Sequence, residues 1–196
     1  MVDYGVGNLF SIKCALEKAG FETVMGLHDL LLKEVDIVIL PGVGDFSAAS
    51  KNLTFVREKL IEVSKMGTEI FGICLGMQLL LDKSEEGDGR GLGLIKGVNV
   101  ELPASVKVPH MGWNTIRIVN GNRLLEDLSN ESYFYFAHSY HPVPEEKDVV
   151  CAETTYGTTF ASVIAKRNIC GVQFHPEKSG KNGLKLLENL FNIVKR

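Results

Sequence analysis

The sequence contains few cysteines, and none of them has the spacing of a metal site or a disulfide framework. Its four cysteines, Cys14, Cys74, Cys151 and Cys170, are widely separated, without a CxxC pair. We therefore expect free thiols in a reducing, cytoplasmic compartment and no bound metal. No motif in the chain indicates a cofactor.

Long apolar runs and an excess of positive charge are also missing. No segment approaches the roughly 18 apolar residues that a membrane-spanning helix requires, and no charged region followed by an apolar one opens the chain. The formal net charge is −3, and there is no long basic run. These absences predict a soluble protein whose partners are neither nucleic acids nor membranes.

The length and composition are those of one globular domain. The chain has 196 residues, of which 45% are hydrophobic and 23% charged. A chain of this size buries roughly 70% of the surface that it exposes when unfolded. Because no repeat, low-complexity tract or linker divides it, we expect a single domain over residues 1–196.

Strand-like and helix-like segments alternate through the first part of the chain. The apolar run 36–40 is typical of a parallel strand covered on both faces. Asn8 is expected to cap a helix that ends at Gly20. Further predicted elements are short strands at 1–4 and 21–25, a helix at about 46–66 and a strand at 69–73. Alternation of this kind indicates a parallel sheet with right-handed crossovers.

Beyond Leu92 the pattern changes to short β segments. They lie at 113–119, 133–137, 149–154, 160–165 and 169–174, before a closing helix at about 181–194. We therefore predict an α/β fold with an open, mostly parallel sheet, flanking helices and an antiparallel β extension. In such sheets the functional crevice lies beyond the carboxyl ends of the parallel strands, where Cys74 and the loop 42–44 both fall.

The stretch Gly72-Ile73-Cys74-Leu75-Gly76 has the form of a nucleophile elbow in which sulfur replaces the hydroxyl. Such a turn needs small flanking residues and lifts its central side chain above the sheet edge. The following helix would direct its positive end at the sulfur, which favours a thiolate. The N–H of Leu75 is expected to point where an oxyanion develops. By itself the stretch also fits a tight turn around an inert cysteine.

Of the five histidines, His175 is the strongest candidate for the base that a cysteine nucleophile needs. It follows the strand-like run 169–174 and precedes Pro176 and Glu177. Pro176 favours extended backbone at His175, so that His175 and Glu177 can project to one side. Glu177 could then hold one ring nitrogen while the other faces the thiol. Alone, these residues fit a strand end with a surface carboxylate better.

Together the two motifs resemble the class I, triad-type glutamine amidotransferases, which have a flavodoxin-like fold. The resemblance rests on Gly72, Cys74, Gly76 and Gln78 with the later Gln-Phe-His-Pro-Glu at 173–177, and it extends through nearly the whole chain. It implies that Cys74 attacks the side-chain amide of L-glutamine. His175 would move protons, and Glu177 would orient His175.

The resemblance also implies an oxyanion site and a glutamine pocket. Pro41-Gly42-Val43-Gly44 matches the family's oxyanion strand, so the N–H groups at Val43 and Leu75 are expected to stabilise the tetrahedral intermediate. The residues implied for the pocket are Gly42, Gly44, Gln78, Glu86, His138, Ser139 and Tyr140. Without the resemblance, Glu86 would be a solvated loop charge and His138 a strand-end histidine.

Further segments resemble the glutamine amidotransferase subunits of imidazole glycerol phosphate synthases. They are Asp3-Tyr4-Gly5-Val6-Gly7-Asn8, Pro109-His110-Met111-Gly112-Trp113-Asn114, Phe136-Ala137-His138-Ser139-Tyr140-His141 and His175-Pro176-Glu177-Lys178-Ser179. This implies a heterodimer with a cyclase subunit that folds as a (β/α)8 barrel and uses the ammonia in histidine biosynthesis. The implied partner interface comprises Val6, Gly7, Asn8, Trp113, Asn114 and Lys178.

Several alternatives stay open from the sequence alone. The chain could serve another synthase, such as those of purine, anthranilate or vitamin B6 synthesis, or be a non-catalytic flavodoxin-like regulatory subunit. Trp113 could be a buried core residue. A phosphate loop at Gly5-Val6-Gly7 is weakly indicated, because the rest of a dinucleotide fingerprint is missing. Since relatives begin several residues earlier, the first strand is expected to be unusually short or to start upstream.

Overall fold

In the computed structural model of the protein, residues 1–5, 7–26 and 35–195 are described. The helices are α1 Leu9–Lys18, α2 Phe46–Asn52, α3 Arg57–Lys65, α4 Leu75–Leu79 and α5 Gly180–Val194. The first strands are β1 Ile37–Leu40, β2 Glu69–Ile73, β3 Lys83–Ser84, β4 Gly97–Glu101, β5 His110–Thr115 and β6 Arg117–Ile118. The later strands are β7 Tyr133–His138, β8 Tyr140–Pro144, β9 Val150–Tyr156, β10 Thr158–Lys166 and β11 Ile169–Val172.

A six-stranded mixed sheet is the centre of the fold, with the strand order β1-β2-β11-β10-β9-β6. Strands β1, β2 and β11 pair in parallel, and β10, β9 and β6 continue the sheet in antiparallel pairs. Two smaller sheets, β3-β4-β8 and β5-β7, lie beside it. The predicted α/β fold with an antiparallel extension is confirmed, but the described central sheet is mixed rather than mostly parallel, with two parallel and three antiparallel pairings. Its parallel half contains the strands that lead into Cys74 and toward His175.

Apolar side chains cover both faces of the central sheet. In β2, Ile70 belongs to one core cluster, while Phe71 and Ile73 belong to the other, as the alternation of side chains along a strand requires. Helix α5 packs Leu186 and Leu190 on the face of Phe71. Each such fully buried side chain stabilises the fold by about 1.5–3 kcal/mol. The prediction of one domain over residues 1–196 stays a prediction.

The predicted single helix at 46–66 is wrong, because a turn at 53–56 divides it into α2 and α3. Asn52, Thr54, Phe55 and Val56 are poor helix formers, which accounts for the break. The predicted strands at 1–4 and 21–25 are also reduced, to an isolated parallel bridge between Val2 and Gly26. The short strands β3, β4 and β8 were not predicted.

Candidate active site

Cys74 lies in a sharp turn between the end of β2 and the start of α4. Its backbone has φ 53° and ψ −109°, a conformation that is costly for a residue with a side chain. A Cβ atom on Gly76 would stand 1.8 Å from the carbonyl oxygen of Leu40, and one on Gly72 would stand 2.6 Å from the backbone of Gly76. The turn therefore requires both glycines, as the nucleophile-elbow pattern predicts.

His175 and Glu177 are fixed together directly after β11. The imidazole Nδ1 lies 2.9 Å from Oε1 of Glu177, and the two side chains are only 1% and 2% exposed. The backbone of His175 is held from both sides, because its N–H donates to the carbonyl of Tyr135 at 2.8 Å and its carbonyl accepts from the Ser179 hydroxyl at 2.6 Å. The orientation of the imidazole is thus set before any ligand arrives.

The charge state of His175 depends on its neighbours. Burial opposes a positive charge, but the Cys74 sulfur and then Glu177 outweigh it and raise the pKa of His175 to about 10. Its Nε2 is buried and has no hydrogen-bond partner among the described residues. A protonated imidazole beside a cysteine favours the thiolate. Cys74, His175 and Glu177 therefore have the chemistry of a nucleophile, an acid–base group and an orienting carboxylate.

Gln173 is a buried neighbour of the sulfur that belongs to the quoted motif at 173–177 but was not predicted as a site residue. Its Nε2 donates to Sγ of Cys74 at 3.5 Å, and its Oε1 accepts from Nε2 of Gln78 at 3.1 Å. The signal was available in the sequence, because Gln173 precedes His175 by two positions and shares its side of an extended chain. The sulfur itself also lies 3.7 Å from the carbonyl of Ala137.

A cavity of about 220 Å³ opens onto the sulfur. Its walls contain Val43, Gly44, Cys74, Leu75, Gln78, Glu86, Pro109, Met111, Ala137, His138, Ser139 and Tyr140. The structure thus brings six of the seven predicted pocket residues together with both predicted oxyanion residues. Gly42 lies behind the wall, where a Cβ atom would meet Leu75 Cβ at 2.8 Å. Pro109, Met111 and Ala137 were not predicted to line the pocket.

The two predicted oxyanion donors lie on neighbouring parts of this cavity. Leu75 is the first residue of α4, and the first N–H groups of a helix have no partner within it. Val43 belongs to the loop after β1, whose position is fixed by Tyr4, because the Tyr4 hydroxyl donates to the carbonyl of Pro41. Burial and the nearby Cys74 raise the pKa of Tyr4, so that it stays a donor.

Polar groups are arranged along the rest of the wall. The Oε2 atom of Glu86 accepts from the N–H of Phe46 at 2.8 Å. Burial raises the pKa of Glu86, although that hydrogen bond opposes the shift. The carbonyl of Tyr140 accepts from Gln78 Nε2 at 2.8 Å and lies 2.9 Å from His138 Nδ1. Gln78 and His138 therefore hold the wall in addition to lining it.

Two of the predicted interface residues, Trp113 and Lys178, lie against the ring of Tyr135. Trp113 is 56% exposed, which excludes the alternative of a core tryptophan. Its ring meets Tyr135 edge to face at 6.1 Å, and Lys178 Nζ lies 5.7 Å from the same Tyr135 ring. We call Trp113, Tyr135 and Lys178 the aromatic patch. Val6 lies outside the described residues.

The other predicted interface residues have contacts of their own within the chain. The Cα of Gly7 is next to the oxyanion loop, since a Cβ atom there would stand 3.4 Å from Cα of Gly42. Asn8 caps α1, and its Oδ1 accepts from the N–H of Ser11 at 3.3 Å. The amide of Asn114 donates to the carbonyl of Thr155 at 3.1 Å. All three thus have a structural role that does not require a partner.

Comparison with known proteins decides the family. The family model described as glutamine amidotransferase class-I matches residues 1–194. The chain belongs to the class-I glutamine amidotransferase family. The resemblance predicted from the motifs around Cys74 and His175 is confirmed, as is the expected glutamine amidotransferase activity.

Curated relatives narrow the position within the class-I glutamine amidotransferases. The protein named imidazole glycerol phosphate synthase subunit HisH in Aquifex aeolicus is 47% identical, with 96% of this chain and 93% of the relative covered. Its namesake in Pyrococcus furiosus is 46% identical, with 96% and 95% covered. HisH 1 of Methanococcus maripaludis is 44% identical over 99% of this chain and 98% of its own length. They confirm the predicted resemblance to the glutamine amidotransferase subunits of imidazole glycerol phosphate synthases.

Solved structures of other proteins share the fold of this chain. PurLQS of Thermotoga maritima has a TM-score of 0.77 at 22% identity, covering 98% of this chain and 96% of that chain. A GMP synthase component of Thermoplasma acidophilum has a TM-score of 0.76 at 19% identity, covering 99% and 92%. At this level of identity the likeness concerns the fold alone.

Within the described ranges, no cluster of three or more His, Cys, Asp or Glu side chains could hold a metal ion. In the same residues, no helix is long and apolar enough to cross a membrane.

Proposed function

We propose that this chain is the glutaminase subunit of an imidazole glycerol phosphate synthase. It hydrolyses L-glutamine to glutamate and ammonia at Cys74 and passes the ammonia to a cyclase subunit in histidine biosynthesis, in the cytoplasm. The observation that carries the proposal is the buried His175, which lies 2.9 Å from Glu177 and has a pKa raised by Cys74. Relatives named as HisH subunits, at 44–47% identity, support the choice of synthase.

The first half of the reaction forms a thioester. The Cys74 thiolate bonds to the side-chain carbonyl carbon of glutamine, and the carbonyl electrons move to the oxygen. The N–H groups of Leu75 and Val43 stabilise this oxyanion, and losing one such donor typically costs about 3 kcal/mol. As the carbon–nitrogen bond breaks, His175 gives its proton to the leaving nitrogen, and ammonia departs.

The second half restores the enzyme. A water molecule gives a proton to His175 while its oxygen bonds to the thioester carbon. The carbon–sulfur bond then breaks, glutamate leaves, and the sulfur is again a thiolate beside a protonated imidazole. Glu177 keeps Nδ1 of His175 bonded throughout, so that Nε2 is the nitrogen that exchanges protons.

The polar walls of the cavity suit the head group of glutamine. The Glu86 carboxylate lines the cavity and can pair with the substrate ammonium. It is already partly buried and accepts a hydrogen bond from the N–H of Phe46. Ser139 and Tyr140 supply further polar groups to the wall, and Gln78 and His138 hold Tyr140 in place. We assign these residues, with Gly44 of the oxyanion loop, to substrate binding, and Gly42 to holding that loop against Leu75 behind the wall.

The aromatic patch suits a protein partner. An exposed tryptophan that rests on a tyrosine is typical of the residues that contribute most to interfaces, and Lys178 adds a charge beside it. We propose that a cyclase with a (β/α)8 barrel binds here and forms a heterodimer. Gly7, Asn8 and Asn114 would lie around the same contact, together with Val6.

The proposal is tested with the complex of this chain and the cyclase from the same organism. In Cys74→Ala we expect loss of glutamine-dependent synthesis, because no thioester can form, whereas synthesis from added ammonia continues. Cys14→Ala, at an exposed cysteine, serves as the matched control and should keep both activities. Glutamine hydrolysis by Cys74→Ala would refute the mechanism. Absence of hydrolysis in the wild-type complex would favour a regulatory subunit instead.

A further inference from the structure

Two buried histidines of the small β5-β7 sheet take no part in the proton transfers described above. His110 and His138 are directly opposite each other in this antiparallel pair, and they are 3% and 5% exposed. Nδ1 of His110 lies 3.0 Å from Nε2 of His138. Only His138 was predicted as a site residue, and only from the family resemblance.

The two histidines belong to a series of hydrogen bonds that ends at the Tyr140 carbonyl and at the Asn114 amide, and these ends determine the direction of every bond between them. The carbonyl of Tyr140 can only accept, so Nδ1 of His138 carries the proton across the 2.9 Å contact. Nε2 of His138 is then an acceptor, and Nδ1 of His110 donates to it. Nε2 of His110 in turn accepts from the Asn114 amide at 3.3 Å. The bonds therefore run one way, from Asn114 through both rings to Tyr140.

The surroundings keep this arrangement in place. The His110 ring is stacked between Phe136 and Tyr156, with centroid distances of 4.9 and 4.0 Å. Burial lowers the pKa of His110 to about 4 and that of His138 to about 3, so that both rings are neutral at neutral pH. Neutral rings are required, because a charged one would have no acceptor nitrogen for its neighbour.

The same carbonyl joins this group to the nucleophile. Tyr140 also accepts from Gln78 at 2.8 Å, Gln78 donates to Gln173 at 3.1 Å, and Gln173 donates to the Cys74 sulfur at 3.5 Å. A continuous series of hydrogen bonds thus leads from Asn114, beside the exposed Trp113, to the bottom of the cavity. Loss of a donor near its start leaves a buried acceptor unpaired, which is costly.

We propose that His110 and Asn114 are positioning residues of the glutamine site, which act through His138 to hold the Ser139–Tyr140 wall of the cavity. This inference rests on the proposed function, since it concerns the same site. It assigns an inward role to Asn114, which the family resemblance placed only at the partner interface. It also gives His110 a role that no sequence motif supplied.

Two variants of His110 separate positioning from packing. His110→Phe keeps a flat ring between Phe136 and Tyr156 but removes the donor to His138. His110→Asn loses the ring but places an amide N–H where Nδ1 was. In the complex with the cyclase, we expect KM for glutamine to rise about tenfold in His110→Phe, the effect of one lost buried hydrogen bond. In His110→Asn, KM should stay close to that of the wild type.

The values of kcat separate wall positioning from chemistry. Because the wall binds the substrate before and during the reaction, kcat should change less than about threefold in both variants. A role in packing alone would give the opposite order, with normal KM in His110→Phe and loss of activity and thermal stability in His110→Asn. That order, or equal KM values in all three proteins, would overturn the inference.

The bond directions have a test that does not depend on activity. Long-range ¹H–¹⁵N spectra of the wild-type chain, with histidine labelled in the rings, should show His110 and His138 as neutral tautomers protonated at Nδ1. A tautomer protonated at Nε2 in either ring would overturn the inference. Failure of the proposed function would instead appear as a wild-type complex without glutaminase activity but with these same tautomers.

Discussion

At the scale of the residue, His175 is charged in a place where burial alone would make it neutral. Its pKa is raised from 6.5 to about 10 because the Cys74 sulfur and Glu177 outweigh the cost of desolvation. Between these two values the His175 side chain therefore keeps a proton in the folded protein that it has lost in the unfolded one. Stability from this pairing is fully present below pH 6.5 and is lost as the pH rises through about 10.

Replacement of Glu177 by Gln should reveal this contribution. The amide keeps an oxygen for Nδ1 of His175 but removes the charge, so the pKa of His175 should fall toward 6.5. We expect the difference in the free energy of unfolding between wild type and Glu177→Gln to be largest below that pH and to shrink toward pH 10, as measured by urea unfolding. Glu58→Gln, at an exposed position of α3, should show no such trend. A difference that does not vary with pH would contradict the assignment.

At the scale of the element, the elbow depends on how closely α4 approaches β1. The Cα of Gly76 stands against the carbonyl of Leu40 in the neighbouring strand, and no side chain fits between them. This contact explains why a five-residue helix can begin directly after the strand and leave Cys74 with a positive φ. The position of the sulfur is therefore set by the packing of strand and helix backbones.

Gly76→Ala should disrupt the elbow, because the new methyl group would stand 1.8 Å from backbone oxygen. We expect a loss of stability of about 3 kcal/mol or more, measured by thermal unfolding, together with loss of glutaminase activity. Gly121→Ala is the matched control, since no atom lies within 4 Å of a Cβ there. It should change stability by less than about 0.5 kcal/mol. An active, stable Gly76→Ala protein would show that the helix can move away.

At the scale of the whole molecule, the cavity and the aromatic patch are neighbours along one face of the β5-β7 sheet. Met111 lines the cavity, and Trp113, two residues later in β5, belongs to the patch. Both side chains are more than half exposed, at 66% and 56%. A partner that covers the patch would therefore lie close to the cavity, which is the arrangement that direct transfer of ammonia requires.

Trp113→Ala should weaken binding of the cyclase by more than tenfold, the effect typical of a buried aromatic residue at an interface. The stability of the free chain should hardly change, because this side chain is largely exposed.

We also expect low glutaminase activity in the free chain and an increase when the cyclase and its ligand bind. Calorimetric titration and glutaminase assays measure both effects.

Phe55→Ala provides the control for Trp113, because Phe55 is an aromatic residue, 85% exposed, outside the predicted interface. It should bind the cyclase like the wild type. Equal affinity of Trp113→Ala and Phe55→Ala would remove the aromatic patch from the interface. Equal glutaminase rates with and without the partner would remove the activation.

The parts of the site that the sequence determined by itself are those fixed by local backbone geometry. Gly72 and Gly76 mark a turn that excludes any Cβ atom, and Pro176 places Glu177 beside the imidazole of His175. The contacts of Gly72 with Gly76 and of His175 with Glu177 lie within a few residues, so their pattern is visible in the sequence, whereas the contact of Gly76 with Leu40 is not. The closing helix and the strand into Cys74 were predictable for the same reason.

Other features were decided only by the tertiary structure. The hydrogen bond from Gln173 to the sulfur and the pairing of His110 with His138 both depend on residues far apart in the chain. The sequence does not distinguish a glutamine or histidine whose side chain is in water from one that is buried and hydrogen-bonded. Its partner is chosen when the sheets pack and water is excluded, because only then must each buried donor find an acceptor.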